Sequence, residues 1–158
     1  MSIFIVRHAK AGSRHDWAGD DTERPLSKGG RRQADALAVR LGAERVTGLW
    51  SSPYVRCMQS LEPLGRALDL EVQPEDRIAE GAPFELVLSF FVELTDGAVL
   101  CSHGDVIPDL LNALVRRGTA ILTKPDWRKG AIWVLDPPDV NGIVAGASAE
   151  PPPSTTLG

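Results

Sequence analysis

Residues Ile3 to Val6 form an unbroken run of large apolar side chains, three of them β-branched, that passes straight into Arg7 and His8. Such a run fits a strand covered on both faces, as in a parallel sheet, better than a strand with one wet face. Two further segments repeat the arrangement. "VTGLW" (46–50) leads into "SSP" and Arg56, and "AVLCS" (98–102) leads into His103. Ligands of parallel sheets bind beyond the carboxyl ends of the strands. The three segments therefore predict a single rim that gathers Arg7, His8, Ser51, Ser52, Arg56, Ser102 and His103.

The intervening segments read as helices. Ser27 is a candidate N-cap, followed by Ala34, Leu37, Ala38 and Leu41 at helical spacing, with Gly42 as the stop. A second helix should run from Tyr54 to about Leu68 on Cys57, Leu61, Leu64 and Leu68, with a kink or break at Pro63. "LEVQP" is a weak strand. Phe84, Val87, Leu88 and Phe91 mark a third helix. Ile107, Leu110, Leu111 and Leu114 mark a fourth, with Pro108 acceptable in its first turn. "AIWVLD" and "NGIVAG" suggest a terminal hairpin joined through "PPDV". Strand and helix alternate, so the expected fold is α/β: a three-layer sandwich with a mostly parallel central sheet. The expected domain spans 1–146, and 147–158, rich in Pro, Ala, Ser and Thr, is expected to be a flexible tail.

At 158 residues the chain has the length of one domain, and its net charge of −4 argues against nucleic acid or anionic membrane as partners. No apolar stretch approaches a membrane span, and Cys57 and Cys101 lack metal-type spacing and read as reduced core thiols, so a cytoplasmic location is expected. A local basic pocket in an acidic protein points to a small anion. Guanidinium forks of Arg7 and Arg56 match phosphate oxygens. A neutral imidazole can attack phosphorus while neighbouring cations stabilise charge on the equatorial oxygens. With side chains supplying the positive charge, no metal and no other cofactor is expected.

"FIVRHAK", "RPLSKGGRRQA", "SSPYVRCMQS" and "LCSHGD", in this order, resemble the histidine phosphatase (phosphoglycerate mutase-like) superfamily, from Ile3 to about Leu135. The resemblance implies a phosphoglycerate mutase-like fold, His8 as the residue phosphorylated during turnover, and Arg7, Arg56 and His103 as the phosphate pocket. It also implies a carboxylic acid that protonates the leaving group. Glu80 stands at the family's usual place, with Glu85 and Asp105 within reach. Lys10, Ser13, Ser51 and Gly104 are candidates for substrate contact. The family's commoner motif has glycine where this chain has Ala9, so the backbone after His8 must be an ordinary conformation. Ala9 with "RPL" looks most like the small phosphohistidine phosphatase subgroup, which implies a phosphoprotein partner. It is also similar to the phosphatase domain that follows Nudix domains, which implies a nucleotide or other phosphorylated small molecule. A mutase, or a phosphate-binding module without chemistry, are the competing readings.

Three other features read as bland. The acidic run "DWAGDDTE" does not match a calcium loop and reads as a solvated face. His15 has no partner at zinc-site spacing. Trp17, Trp127, Arg128 and Lys129 belong to surface loops, or else to a platform for a base or further phosphates. No heptad repeat reports an oligomeric state.

Overall fold

The computed structural model of the protein describes residues 1–155. In chain order the elements are β1 (Ile3–Arg7), α1 (Lys28–Gly42), β2 (Gly48–Ser51), α2 (Val55–Leu68), β3 (Val72–Pro74) and α3 (Phe84–Phe91). They continue with β4 (Ala98–Ser102), α4 (Val106–Arg116), β5 (Ala120–Ile121), β6 (Ile132–Leu135) and β7 (Gly146–Glu150). One seven-stranded sheet forms with the order β3-β2-β4-β1-β6-β7-β5. The β3, β2, β4 and β1 strands pair in parallel, and β6 runs antiparallel to both β1 and β7.

Both sheet faces are covered, and that is why β1 has no polar alternation. Phe4 and Val6 join the core under α1 and α2, while Ile3 and Ile5 join the core under α3 and α4. Leu37, Leu41, Leu61 and Leu64 are fully buried between the sheet and the first helix pair. Each such leucine contributes about 1.5–3 kcal/mol relative to exposure. The α/β sandwich expected from the sequence is the fold observed.

Local differences have local causes. The α2 helix is continuous through Pro63, not two abutting pieces. Gly42 is the last residue of α1, and the cap is Ala43 in a right-handed conformation, so no left-handed glycine ends this helix. The left-handed position falls instead at Asp69, which caps α2. The partner of β6 is not "NGIVAG" but Gly146–Glu150, paired in the register Leu135 with Ala147 and Ile132 with Glu150. The sheet thus takes in residues expected to be a flexible tail, and the domain boundary placed at 146 moves beyond 150. Arg40 of α1 holds that strand down, donating to both carboxylate oxygens of Glu150 at 2.9 Å. Residues 151–155 carry no regular structure, and the rest of the expected tail lies outside the described residues.

The first turn of α1 decides how the segment after His8 is held. Ser27 Oγ accepts from Gly30 N at 3.1 Å and donates to Lys10 O at 3.2 Å, and Ser27 N donates to the same carbonyl. A Cβ on Gly30 would fall 1.8 Å from Lys10 O, whereas one on Gly29 would meet nothing closer than 3.8 Å. Alanine in a helix is ordinarily more stable than glycine by about 0.5–1 kcal/mol. Gly29→Ala is therefore expected to raise stability by about that amount. Gly30→Ala is expected to lower both stability and activity, because it displaces the backbone two residues from His8. Urea denaturation of the two variants, with activity assayed alongside, checks this contrast.

Candidate active site

Parallel register brings the site together. The ladder between β1 and β4 continues one residue further, with His8 N donating to Ser102 O at 3.1 Å. The ladder between β2 and β4 does the same, with Ser52 N donating to Cys101 O at 2.9 Å. His8, Ser52 and His103 therefore emerge side by side, and Arg56 follows within the first turn of α2. The rings of His8 and His103 lie 5.5 Å apart at 66°.

His8 is almost completely buried. Its Nδ1 lies 2.8 Å from the carbonyl oxygen of Ala9. A carbonyl can only accept, so Nδ1 carries the proton and Nε2 keeps its lone pair. Ala9 is fixed in turn, its N–H donating to Ser60 Oγ at 2.9 Å, and Ser60 Oγ donates to Arg56 O at 2.7 Å. Ala9 has no left-handed backbone, as the alanine demanded. Burial first, with the charges of His103, Arg56 and Arg7 adding, lowers the His8 pKa from 6.5 to about 3. A hydrogen bond to Ala9 acts against that shift without cancelling it.

Around this ring lies a cleft of about 400 Å3 bordered by five cationic side chains, Arg7, Arg14, Arg24, Arg56 and Lys129, and two carboxylates, Glu80 and Asp105. Ser13 and Gly104 also border it. The Arg7 guanidinium lies flat on Gly104, where a Cβ would come within 2.7 Å of Arg7 Cζ, and Arg7 Nη1 donates to Trp127 O at 2.6 Å. Burial lowers the Lys129 pKa, and so does the positive field of Arg7, Arg24, Arg56 and Lys10. A strongly positive hollow is thus set into an acidic protein. Its field draws anions.

The predicted residues do not all stand at the cleft. His103 lies behind His8, 1% exposed, its Nε2 2.7 Å from Ser52 Oγ and 3.5 Å from Cys57 Sγ, with Tyr54 edge-on at 4.7 Å. Ser51 Oγ turns inward and donates to Ser52 O, away from the cleft. Lys10 is exposed and reaches the cleft through its field alone, while its N–H donates to Gln33. Glu80 Oε1 lies 3.3 Å from Arg14 Nη2 and 3.5 Å from Arg56 Nη2, and Asp105 Oδ2 accepts from Gly81 N at 2.8 Å. Glu85 is exposed on α3 and does not border the cleft. A wider groove of about 780 Å3 between residues 123–128, Ala149 and Pro151 adjoins Arg7 but holds neither histidine. In it Trp127 packs on Trp133 at 5.1 Å and is only partly exposed. Trp17 donates from Nε1 to Asp20 O.

Sequence reasoning missed Arg14, Arg24 and above all Asp21. The acidic run is not simply solvated, because Asp21 sits among Arg14, Arg24 and Arg56. Its opposite-charge spacing to Arg24 at i, i+3 was the available signal. Both cysteines are free and buried, as expected. Burial pushes the Cys57 thiol up, but hydrogen bonds from Cys101 and His103 and the Arg56 charge outweigh it and bring Cys57 to about 6. Among the described residues no helix is long and apolar enough to cross a membrane.

Three comparisons with known proteins bear on this geometry. The chain is 35% identical over 158 residues to an 8-oxo-(d)GTP phosphatase of Mycolicibacterium smegmatis, in a match covering 96% of this chain and 48% of that protein. The chain thus spans about half the length of that relative. The protein histidine phosphatase SixA, solved with tungstate, superposes with a TM-score of 0.75 at 22% identity, covering 98% of this chain and 97% of SixA. A mycobacterial glucosyl-3-phosphoglycerate phosphatase, solved with inorganic phosphate, superposes with a TM-score of 0.67 at 18% identity, covering 99% of each chain. At those identities the two structures speak for the fold. The family model of the histidine phosphatase superfamily (branch 1) matches residues 3–83, from β1 through α2 and on to the start of α3. The chain belongs to the histidine phosphatase superfamily.

Proposed function

We propose that this chain is a phosphatase that passes the phosphoryl group through Nε2 of His8. The observation that carries the reading is the Nδ1 proton of His8 held on Ala9 O, which leaves an unprotonated Nε2 with its lone pair free in a hollow of cations. In the first step the Nε2 lone pair forms the N–P bond as the bond from phosphorus to the leaving atom breaks. Arg7 and Arg56 take up charge on the non-bridging oxygens, while His103 packs edge-on against the nucleophile's ring. In the second step water forms the new O–P bond, the N–P bond breaks, and its electron pair returns to Nε2.

Glu80 is the proton donor to the leaving atom in this reading. In the free site its carboxylate is paired with Arg14 and Arg56. Glu80 borders the same cleft as His8, so a phosphoryl group held on Arg56 lies next to its carboxyl. After the leaving group has gone, the same carboxylate takes the proton from the attacking water. Because side-chain cations meet the developing charge, turnover in a metal chelator is expected to be undiminished.

Two substrate classes fit. A phosphorylated protein side chain suits an open cleft with little over it. A nucleotide is the second reading, favoured by five cations, more than one phosphoryl group needs, and by the 8-oxo-(d)GTP phosphatase among the relatives. A panel of phosphohistidine protein, nucleoside di- and triphosphates and sugar phosphates, scored by kcat/KM, separates them, and transfer between hydroxyls instead of phosphate release would mark a mutase.

His8→Ala is expected to abolish phosphate release from an aryl phosphate while leaving the circular dichroism spectrum unchanged. Substantial residual turnover would overturn the assignment of the nucleophile. Nitrogen NMR of the His8 ring is expected to show one neutral tautomer from about pH 8 to about pH 5. A ring that stays neutral when folded gives up proton affinity, so its contribution to stability is full above the unfolded value of 6.5 and declines as pH falls from there toward about 3. A titration midpoint between about pH 6 and pH 7 in the folded protein would contradict the desolvated nucleophile.

A further inference from the structure

Arg56 is the least exposed cation of the site, at 1%, and a buried guanidinium needs fixed partners. Both of its terminal nitrogens are held by one residue from the loop between β1 and α1. Arg56 Nη1 donates to the main-chain carbonyl of Asp21 at 2.8 Å, and Nη2 donates to Asp21 Oδ2 at 3.1 Å. Arg56 Nε is buried and has no partner among the described residues. The second carboxylate oxygen of Asp21 accepts from Arg24 Nε at 2.9 Å and lies 3.5 Å from Arg14 Nε. Arg24 is itself buried, and its Nη1 donates to Gly12 O at 2.5 Å.

We infer that Asp21 is a positioning residue for phosphoryl transfer: by holding the Nη1 and Nη2 end of Arg56, it fixes the plane and direction in which that guanidinium meets the phosphoryl group. The inference rests on the reading of the cleft as the phosphoryl site and adds a residue that the sequence reading had set aside as solvated. Two physical facts favour a carboxylate here over a neutral acceptor. Arg14, Arg24 and Arg56 crowd one corner of the cleft, and one negative charge among them removes most of their mutual repulsion. A carboxylate with a carbonyl beside it also supplies two acceptors from one anchored residue, so the guanidinium cannot rotate about its own axis without losing both. The Arg24 hydrogen bond, with the charges of Arg56 and Arg14, holds the Asp21 carboxyl below the usual carboxylate range and so keeps it charged at neutral pH.

The test compares Asp21→Asn with Asp20→Asn. The first keeps the side-chain shape and the carbonyl contact to Nη1 but loses the charge. Asp20 serves as the control, since its side chain accepts from Thr22 N and Thr22 Oγ1 and orders the same loop without touching Arg56. Expected for Asp21→Asn is a fall in kcat/KM for an aryl phosphate of at least about tenfold, and a comparable weakening of orthovanadate binding by calorimetry. The thermal midpoint should stay close to that of Asp20→Asn, which should keep native kcat/KM. Asp21→Glu, with the charge retained on a longer stem, should recover part of the loss. Native kcat/KM and native vanadate affinity in Asp21→Asn would overturn the inference, as would equal losses in the Asp20 and Asp21 variants, which would mark loop order alone. Vanadate binding that depends on Asp21 in a protein without turnover would uphold the hold on Arg56 and remove only the catalytic reading. A native protein that binds no vanadate would overturn both.

Discussion

Hydrogen bonds that carry the parallel ladders one residue past the strand ends hold this site together. His8 N on Ser102 O and Ser52 N on Cys101 O fix three chain segments, distant in sequence, at the spacing of neighbouring strands. Strands in a sheet stand about 4.8 Å apart, and the 5.5 Å between the His8 and His103 rings follows from that spacing. The cations and imidazoles need no flexible search to meet, because the sheet register has already placed their backbones.

Putting many like charges in one hollow is costly, and the chain offsets the cost in several ways. Carboxylates are interleaved with the arginines: Asp21 among Arg14, Arg24 and Arg56, and Glu80 between Arg14 and Arg56. Main-chain carbonyls of Asp21, Gly12 and Trp127 take further guanidinium donors. His8 carries no added charge into the cluster at neutral pH, because burial keeps its ring deprotonated. The same desolvation that keeps His8 neutral also makes its lone pair available. Packing and reactivity here have one origin.

How much of this could be read from the sequence differs by level. The strand run Ile3–Val6, the helix repeats and "AVLCS" gave the sandwich and its rim, because parallel strands and amphipathic helices leave strong patterns. Gly146–Glu150 gave no such pattern: its small side chains alternate weakly, and its place comes from β6 and from Arg40. At the site, Arg7, His8 and Arg56 were legible because Arg7 and His8 stand at the end of β1 and Arg56 in the first turn of the helix that follows β2. Asp21 was not, since its partners lie up to 35 residues away and a run of acids in a polar loop looks solvated from composition alone. Ser51 and Ser52 show the limit of motif reading. Adjacent and identical in sequence, one turns inward to a carbonyl while the other meets His103.

The central claim is covalent, and it is best met by catching the adduct. Phosphoramidates survive alkali and are lost in acid, so the protein should be quenched into base during turnover of a phosphate-labelled substrate and then mapped by peptide. Label confined to the peptide of His8, and absent from His8→Ala, is the outcome this account requires. Label on His103 or Cys57, or steady turnover with no trapped phosphorus at all, would contradict it.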